Sequence, residues 1–175
     1  PGDRLPHFYY RGQETEQMLE LLGDSERKHI LIVGQPSVGK SAFVEHVACR
    51  LSQVARNHPL HGYRILQLNV ELLTSPTVAN QEKVAKLAKT LKSKPNHILF
   101  SEAIAPLFQM DFYSFTGASK LFELVTSNIV MCITTATPDE LEGTEDEEAL
   151  PIANFHRLEL KPLSVDDTKD IPRPY

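Results

Sequence analysis

Cysteine is scarce in this chain of 175 residues, with only Cys49 and Cys132 present. Neither has a partner at metal-ligand spacing, so a zinc ribbon and a disulfide-stapled scaffold are excluded, and both read as buried, reduced thiols inside apolar patterns. No apolar run approaches the roughly 18 residues of a membrane span. A strong excess of one charge is missing too: 18 Lys+Arg stand against 23 Asp+Glu, a net charge of -5, which argues against a broad nucleic-acid-binding face. Internal repeats and low-complexity tracts are lacking. With 41% apolar and 23% charged residues, the composition is that of an ordinary globular protein of one domain or a little more. No secretory pattern opens the sequence, so a reducing, cytoplasmic compartment is expected. The opening Pro1-Gly2-Asp3 reads as the interior of a longer chain.

What is present is an alternation of short apolar runs with longer periodic segments, which predicts an α/β fold with a mostly parallel sheet. Strands are expected over Ile30–Val33, Arg64–Val70, Ile98–Phe100, Ile129–Thr134 and His156–Leu160. A helix is expected over Lys40–Val54, where Phe43, Val44, Val47, Ala48 and Leu51 fall on one face. Val84, Leu87, Ala88 and Leu91 repeat that spacing, Leu121, Leu124 and Val125 suggest a third helix, and Glu14–Leu22 a helix before the first strand. Asn57 to Gly62, Thr74-Ser75-Pro76 and Lys94-Pro95-Asn96 mark loops.

Gly34-Gln35-Pro36-Ser37-Val38-Gly39-Lys40-Ser41 matches G-x-x-x-x-G-K-[ST] in full, directly after an apolar strand and directly before an amphipathic helix. Glycines let backbone N–H groups turn inward around phosphate oxygens, and the helix N-terminus adds partial positive charge. Lys40 is then the residue that neutralises the β- and γ-phosphates, and Ser41 offers its hydroxyl to Mg²⁺. A second element is expected from a strand end bearing an acid for the Mg²⁺ shell, followed by an acid that polarises water. The candidate, Ile98-Leu99-Phe100-Ser101-Glu102-Ala103, supplies Glu102 and then Ala103.

Other charged features have plainer readings. The acidic run Asp139, Glu140, Glu142, Glu145, Asp146, Glu147 and Glu148 reads as a solvated loop or helix end. Lys83, Lys86, Lys89 and Lys92 recur every three residues with no aromatic interleaved to stack a base, and read as an outer helix face. His58 and His61 lack a cysteine or carboxylate nearby and read as surface residues.

Taken together, the motifs resemble the first nucleotide-binding domain of Clp-type AAA+ unfoldases over most of the chain. Phe8-Tyr9-Tyr10-Arg11, with Gln13 to Glu16 after it, is similar to the family's Ile-Gly-Arg segment and the helix lining its adenine pocket. Leu66 to Leu73 resembles the strand into the pore loop, His97 to Phe100 the Walker B strand, and Cys132 to Thr137 with Asp139-Glu140 the sensor strand. Leu163 to Thr168 resembles the linker into the helical lid. The resemblance implies a P-loop NTPase (AAA+) three-layer sandwich with a five-stranded sheet in the order 5-1-4-3-2. It implies ATP or ADP with Mg²⁺ held by residues 34–41, Tyr10, Arg11 and, for the metal, Ser41 and Glu102. It also divides the chain into an N-terminal adenine-pocket segment and helix at 1–28, the large α/β subdomain at 29–162, and at 163–175 the start of a linker toward a lid outside this sequence.

Departures fall on the family's working residues. Glu102-Ala103 replaces its Asp-Glu pair, Ala153-Asn154-Phe155 its paired arginines before a Phe, and Thr74 to Asn80 has neither the Gly nor the aromatic of its pore loop. The sensor threonine falls between Ala136 and Thr137, and Arg157 would face the wrong way on an alternating strand. The expectation is an ATP-binding Clp-like domain with weak or lost hydrolysis, a structural or regulatory element among other AAA+ protomers in an assembly that handles protein clients. An active unfoldase subunit is the alternative, and a nucleic-acid-associated P-loop protein the second. No membrane partner is expected.

Overall fold

The structure is a computed structural model and describes residues 11–24, 29–69, 77–94, 96–102, 116–142 and 155–163. Five strands, β1 (His29–Val33), β2 (Arg64–Gln67), β3 (His97–Ser101), β4 (Met131–Ala136) and β5 (Phe155–Glu159), form one sheet in the order β2-β3-β4-β1-β5. This is the expected order read from the other edge, and every pairing is parallel. β1 lies between β4 and β5 and is buried along its whole length, as a strand covered on both faces must be.

Among the described residues, five helices accompany the strands: α1 (Gly12–Gly23), α2 (Lys40–Ser52), α3 (Val78–Ser93), α4 (Thr116–Thr126) and the short α5 (Pro138–Glu142). Side chains alternate across the sheet with period two. Ile30, Ile32, Ile98, Phe100 and Ile133 pack with Met18, Leu22, Phe43, Val47 and Leu51 of α1 and α2. Leu99 and Cys132 point the other way and pack with Val84, Ala88 and Leu91 of α3 and Leu121, Leu124 and Val125 of α4. The result is a three-layer sandwich with α1 and α2 on one face and α3 and α4 on the other.

Several boundaries differ from the sequence reading for local reasons. β4 starts at Met131 instead of Ile129, because the Ile129 and Val130 amides both donate to the Leu124 carbonyl and Asn128 turns with φ 53°. It runs on through Thr135 and Ala136, which pair with Ile32 and Val33 despite the polar threonine. β2 stops at Gln67, although the Leu68 amide still reaches the Phe100 carbonyl at 2.7 Å. α2 ends at Ser52, two residues before Val54, where Gln53 N–H closes the last turn on the Arg50 carbonyl. Val78 to Asn80, read as part of a pore loop, form the first turn of α3, with the Asn80 and Gln81 amides donating to Thr77. Of the acidic run, Asp139, Glu140 and Glu142 lie on α5. Cys132 is buried, but Cys49 is only half-buried, because it lies on the edge of the apolar face of α2.

Candidate nucleotide-binding site

The loop after β1 emerges between both of that strand's neighbours. Gly34 N–H donates to the Ala136 carbonyl at 3.1 Å, and Leu160 N–H to the Val33 carbonyl at 2.7 Å. The crowding explains the glycine: a Cβ on Gly34 would stand 2.7 Å from the Leu160 carbonyl oxygen. The chain then reverses through Pro36 and Ser37, with Ser37 at φ 62° and Gly39 at φ 91°. Ser37 occupies the left-handed region at a modest steric cost, whereas Gly39 does so freely. Gly39 precedes α2, and its carbonyl takes the Phe43 amide at 2.9 Å. The first N–H groups of α2 therefore converge on the loop, where an anion gains both hydrogen bonds and the helix dipole.

Lys40 bends back over this loop. Its ammonium donates to the carbonyls of Gly34 at 2.6 Å and Gln35 at 3.1 Å. These weak acceptors are ones that a phosphate oxygen, carrying full charge, would readily replace. A cavity of about 390 Å³ opens beside the loop, lined by Gln35 to Gly39 together with Arg11, Phe43, His46, Pro162 and Leu163. The lining combines the loop backbone with the apolar side chains of Phe43, Pro162 and Leu163, a mix that suits a ligand with a charged tail and a flat, less polar head.

Arg11 is 96% buried, with 4% of its surface exposed, just before α1. One of its amino groups donates to the Val38 carbonyl at 3.1 Å and to the Lys161 carbonyl at 3.0 Å, while the other lies 3.5 Å from Glu14. Burial lowers its pKa and the charge of Glu14 opposes that shift, but a guanidinium stays protonated throughout the physiological range.

Glu102 follows β3 at the same edge of the sheet. Its carboxylate takes a hydrogen bond from Gln67 at 3.1 Å, and its main-chain carbonyl one from the Thr135 hydroxyl. One acid is thus held from both neighbouring strands. Around the position where the resemblance expects a sensor threonine, the structure places three residues differently. Ala136 is buried in β4 and Thr137 caps α5, exchanging bonds with Glu140 at 2.7 and 3.0 Å; the contact with Glu102 comes from Thr135. The T-x-x-E of Thr137 to Glu140 is a capping box legible in the sequence. Gln67 and Thr135 fall within strands that the resemblance covers, but no local pattern singles them out, nor His46 or Pro162; all four meet the site only through strand register and chain path.

Tyr10, Ala103, Ala153 and Asn154 lie outside the described residues. Arg157 is exposed and alternates with buried Leu158. His58 accepts the Leu60 amide through Nδ1, and among the described residues no group of three His, Cys, Asp or Glu side chains could hold a metal. Lys86, Lys89 and Lys92 line a cavity of about 510 Å³ between α3 and α4, joined by Lys120 and without an aromatic. Lys83 is not among its lining residues, since each step of three residues falls about 60° short of a full helical turn. No described helix is long and apolar enough to cross a membrane.

A parallel sheet in this order, with a glycine-rich turn from the interior strand β1 into a helix, defines a P-loop NTPase fold. No protein-family model matches the chain. Among curated proteins it is 24% identical over 168 residues to the chloroplastic chaperone protein ClpC1 of Oryza sativa subsp. japonica, covering 93% of this chain and 18% of that protein. It is 25% identical over 173 residues to the chaperone protein ClpB of Dichelobacter nodosus, covering 93% and 20%. Among solved structures, Hsp104 with ATPγS and FITC casein in its closed state superposes with a TM-score of 0.74 at 22% identity, over 96% of this chain and 29% of that one. The ADP complex of S. cerevisiae Hsp104 gives 0.72 at 21%, over 90% and 23%. In sequence the chain is similar to Clp-type AAA+ chaperones, and in fold it is similar to Hsp104. It spans about a fifth of the length of the curated relatives it matches.

Proposed function

We propose that this domain binds ATP or ADP with Mg²⁺ at Gly34 to Ser41, hydrolyses ATP slowly or not at all, and serves as a structural or regulatory element among other AAA+ protomers that handle protein clients. The observation that carries the binding half is the loop itself. Gly39 at φ 91° opens α2, and the Lys40 ammonium rests on loop carbonyls that a phosphate would displace. Ser41, at the start of α2, and Glu102, held by Gln67, are the residues that would ligate Mg²⁺. The metal would supply charge neutralisation for the phosphates.

The case for slow hydrolysis rests on the sequence. Ala103 follows Glu102 where a water-polarising acid is needed, and Ala153-Asn154 stand where the resemblance calls for arginines. A missing general base costs about 10²- to 10⁴-fold in rate, and a missing arginine finger about 10³ to 10⁵. The losses need not multiply, since groups that act as a unit are not additive. Ground-state binding groups are untouched by either.

The held position of Glu102 favours a second reading, an active unfoldase subunit in which this acid retains its metal. Steady-state hydrolysis by the full-length protein separates the two. Calorimetry with Mg·ADP on wild type and Lys40→Ala tests the binding claim: binding should disappear in the variant, and unchanged affinity would remove the reading.

A further inference from the structure

We propose that Arg11 is a positioning residue that locks the Val38–Gly39 peptide plane and ties it to the chain leaving β5. The proposal rests on the nucleotide reading above, and concerns how the phosphate loop is held and what moves with it.

The argument begins with peptide geometry. In a planar trans peptide the C=O and the following N–H point in opposite directions. Arg11 holds the Val38 carbonyl at 3.1 Å, so the Gly39 N–H is directed away from the guanidinium. This N–H immediately precedes α2, among the donors available to a phosphate. Gly39 is also where that direction is least secure. At φ 91° it occupies a region glycine visits as readily as its mirror image, so the plane could turn over at little steric cost. The Val38 amide, with its long bond of 3.3 Å to the Gln35 carbonyl, belongs to the preceding peptide plane and does not hold this one. The charged, buried Arg11 side chain is the strong restraint on this plane among the described residues.

The same amino group donates to the Lys161 carbonyl at 3.0 Å. Lys161 follows β5, and the next residues, Pro162 and Leu163, line the cavity beside the loop. One side chain therefore ties its own segment to two others that lie 27 and 150 residues further along the sequence. Water cannot take its place easily, because the guanidinium is buried. Ligand that fixes the Val38–Gly39 plane strengthens the Arg11 contact, and through it orders Lys161 and Leu163. By reciprocity, displacement of that exit segment weakens the hold on the ligand.

The test uses the full-length protein and Mg·ADP. In wild type, hydrogen exchange should slow on ADP addition both at Ser37 to Gly39 and at the Lys161 and Leu163 amides. Arg11→Ala should lose at least tenfold in ADP affinity and slow exchange only in the loop. Arg11→Lys, which keeps the charge but not the planar fork, should fall between the two. Glu14→Gln removes the ion pair and leaves both carbonyl contacts, and should stay within twofold of wild type. Two results overturn the proposal: Arg11→Ala binding ADP within twofold of wild type, or wild type protecting the loop while Lys161 and Leu163 stay unchanged. The second needs no variant, so it decides the matter even if Arg11→Ala fails to fold. A wild-type protein with no response to ADP at any amide would instead remove the nucleotide reading, and the coupling with it.

Discussion

Gly34 lies directly against Leu160. A Cβ on the glycine would come within 2.7 Å of the Leu160 carbonyl oxygen and 2.9 Å of Val38 Cγ1. The carbonyl belongs to main chain held at this sheet edge by the Leu160 bond to Val33, so it cannot swing aside as a side-chain tip would. The first glycine of the loop after β1 is therefore fixed by packing of β1 against the end of β5.

Gly34→Ala should accordingly destabilise the protein by about 1 to 3 kcal/mol, the usual cost of forcing extra volume into a packed site. Chemical denaturation checks this. A stability equal to wild type would show that the loop and Leu160 can separate freely.

His29 should make the protein acid-sensitive. It is buried at the start of β1, its Nδ1 accepts the Cys132 amide at 3.1 Å, and its ring packs on Phe155 at 4.9 Å. Burial lowers its pKa from 6.5, against smaller opposing bonds with Val125 and Asn128. Above pH 6.5 both folded and unfolded states hold a neutral ring and nothing changes. Below it the unfolded chain takes up a proton that the folded one resists, so stability falls as pH drops. His29→Gln should be less stable at pH 7 but should flatten this limb, as read from denaturation midpoints between pH 7.5 and 5.

The two thiols should differ in reactivity. Complete burial pushes Cys132 up to about 12, whereas Cys49 is half-buried on α2. A thiolate is the reacting form, so a disulfide reagent near pH 8 should titrate about one thiol per folded chain and two after denaturation. Rapid reaction of both in the folded protein would contradict the packing of β4 against α3 and α4.

Ala103→Glu should raise ATP hydrolysis in the full-length protein only in part. It supplies an acid next to Glu102 but leaves Ala153 and Asn154 unchanged. Steady-state turnover rising by about two orders of magnitude, the lower end of a general-base effect, is the expected result. Full activity comparable to an intact ring would show that the arginines are dispensable here.

The sequence by itself determined the succession of the five strands and the four longer helices, and the glycine-rich loop between β1 and α2. These are written in local periodicity: Ile30 and Ile32 against Leu31 and Val33 on a strand, Phe43, Val47 and Leu51 on a helix. Glycine at 34 and 39, followed by Lys40, is likewise a local pattern with a local steric cause. The tertiary structure decided where β4 begins, since the turn of Ile129 and Val130 onto Leu124 depends on how α4 meets the sheet. It also decided which polar groups attend Glu102. Gln67 and Thr135 are 35 and 33 residues away from it in sequence and meet it only because β2, β3 and β4 are neighbours. Arg11 shows the same division most clearly. Its position before a helix is legible in the chain, but its contacts with Val38 and Lys161 exist only because the sheet brings the exits of β1 and β5 to the same edge.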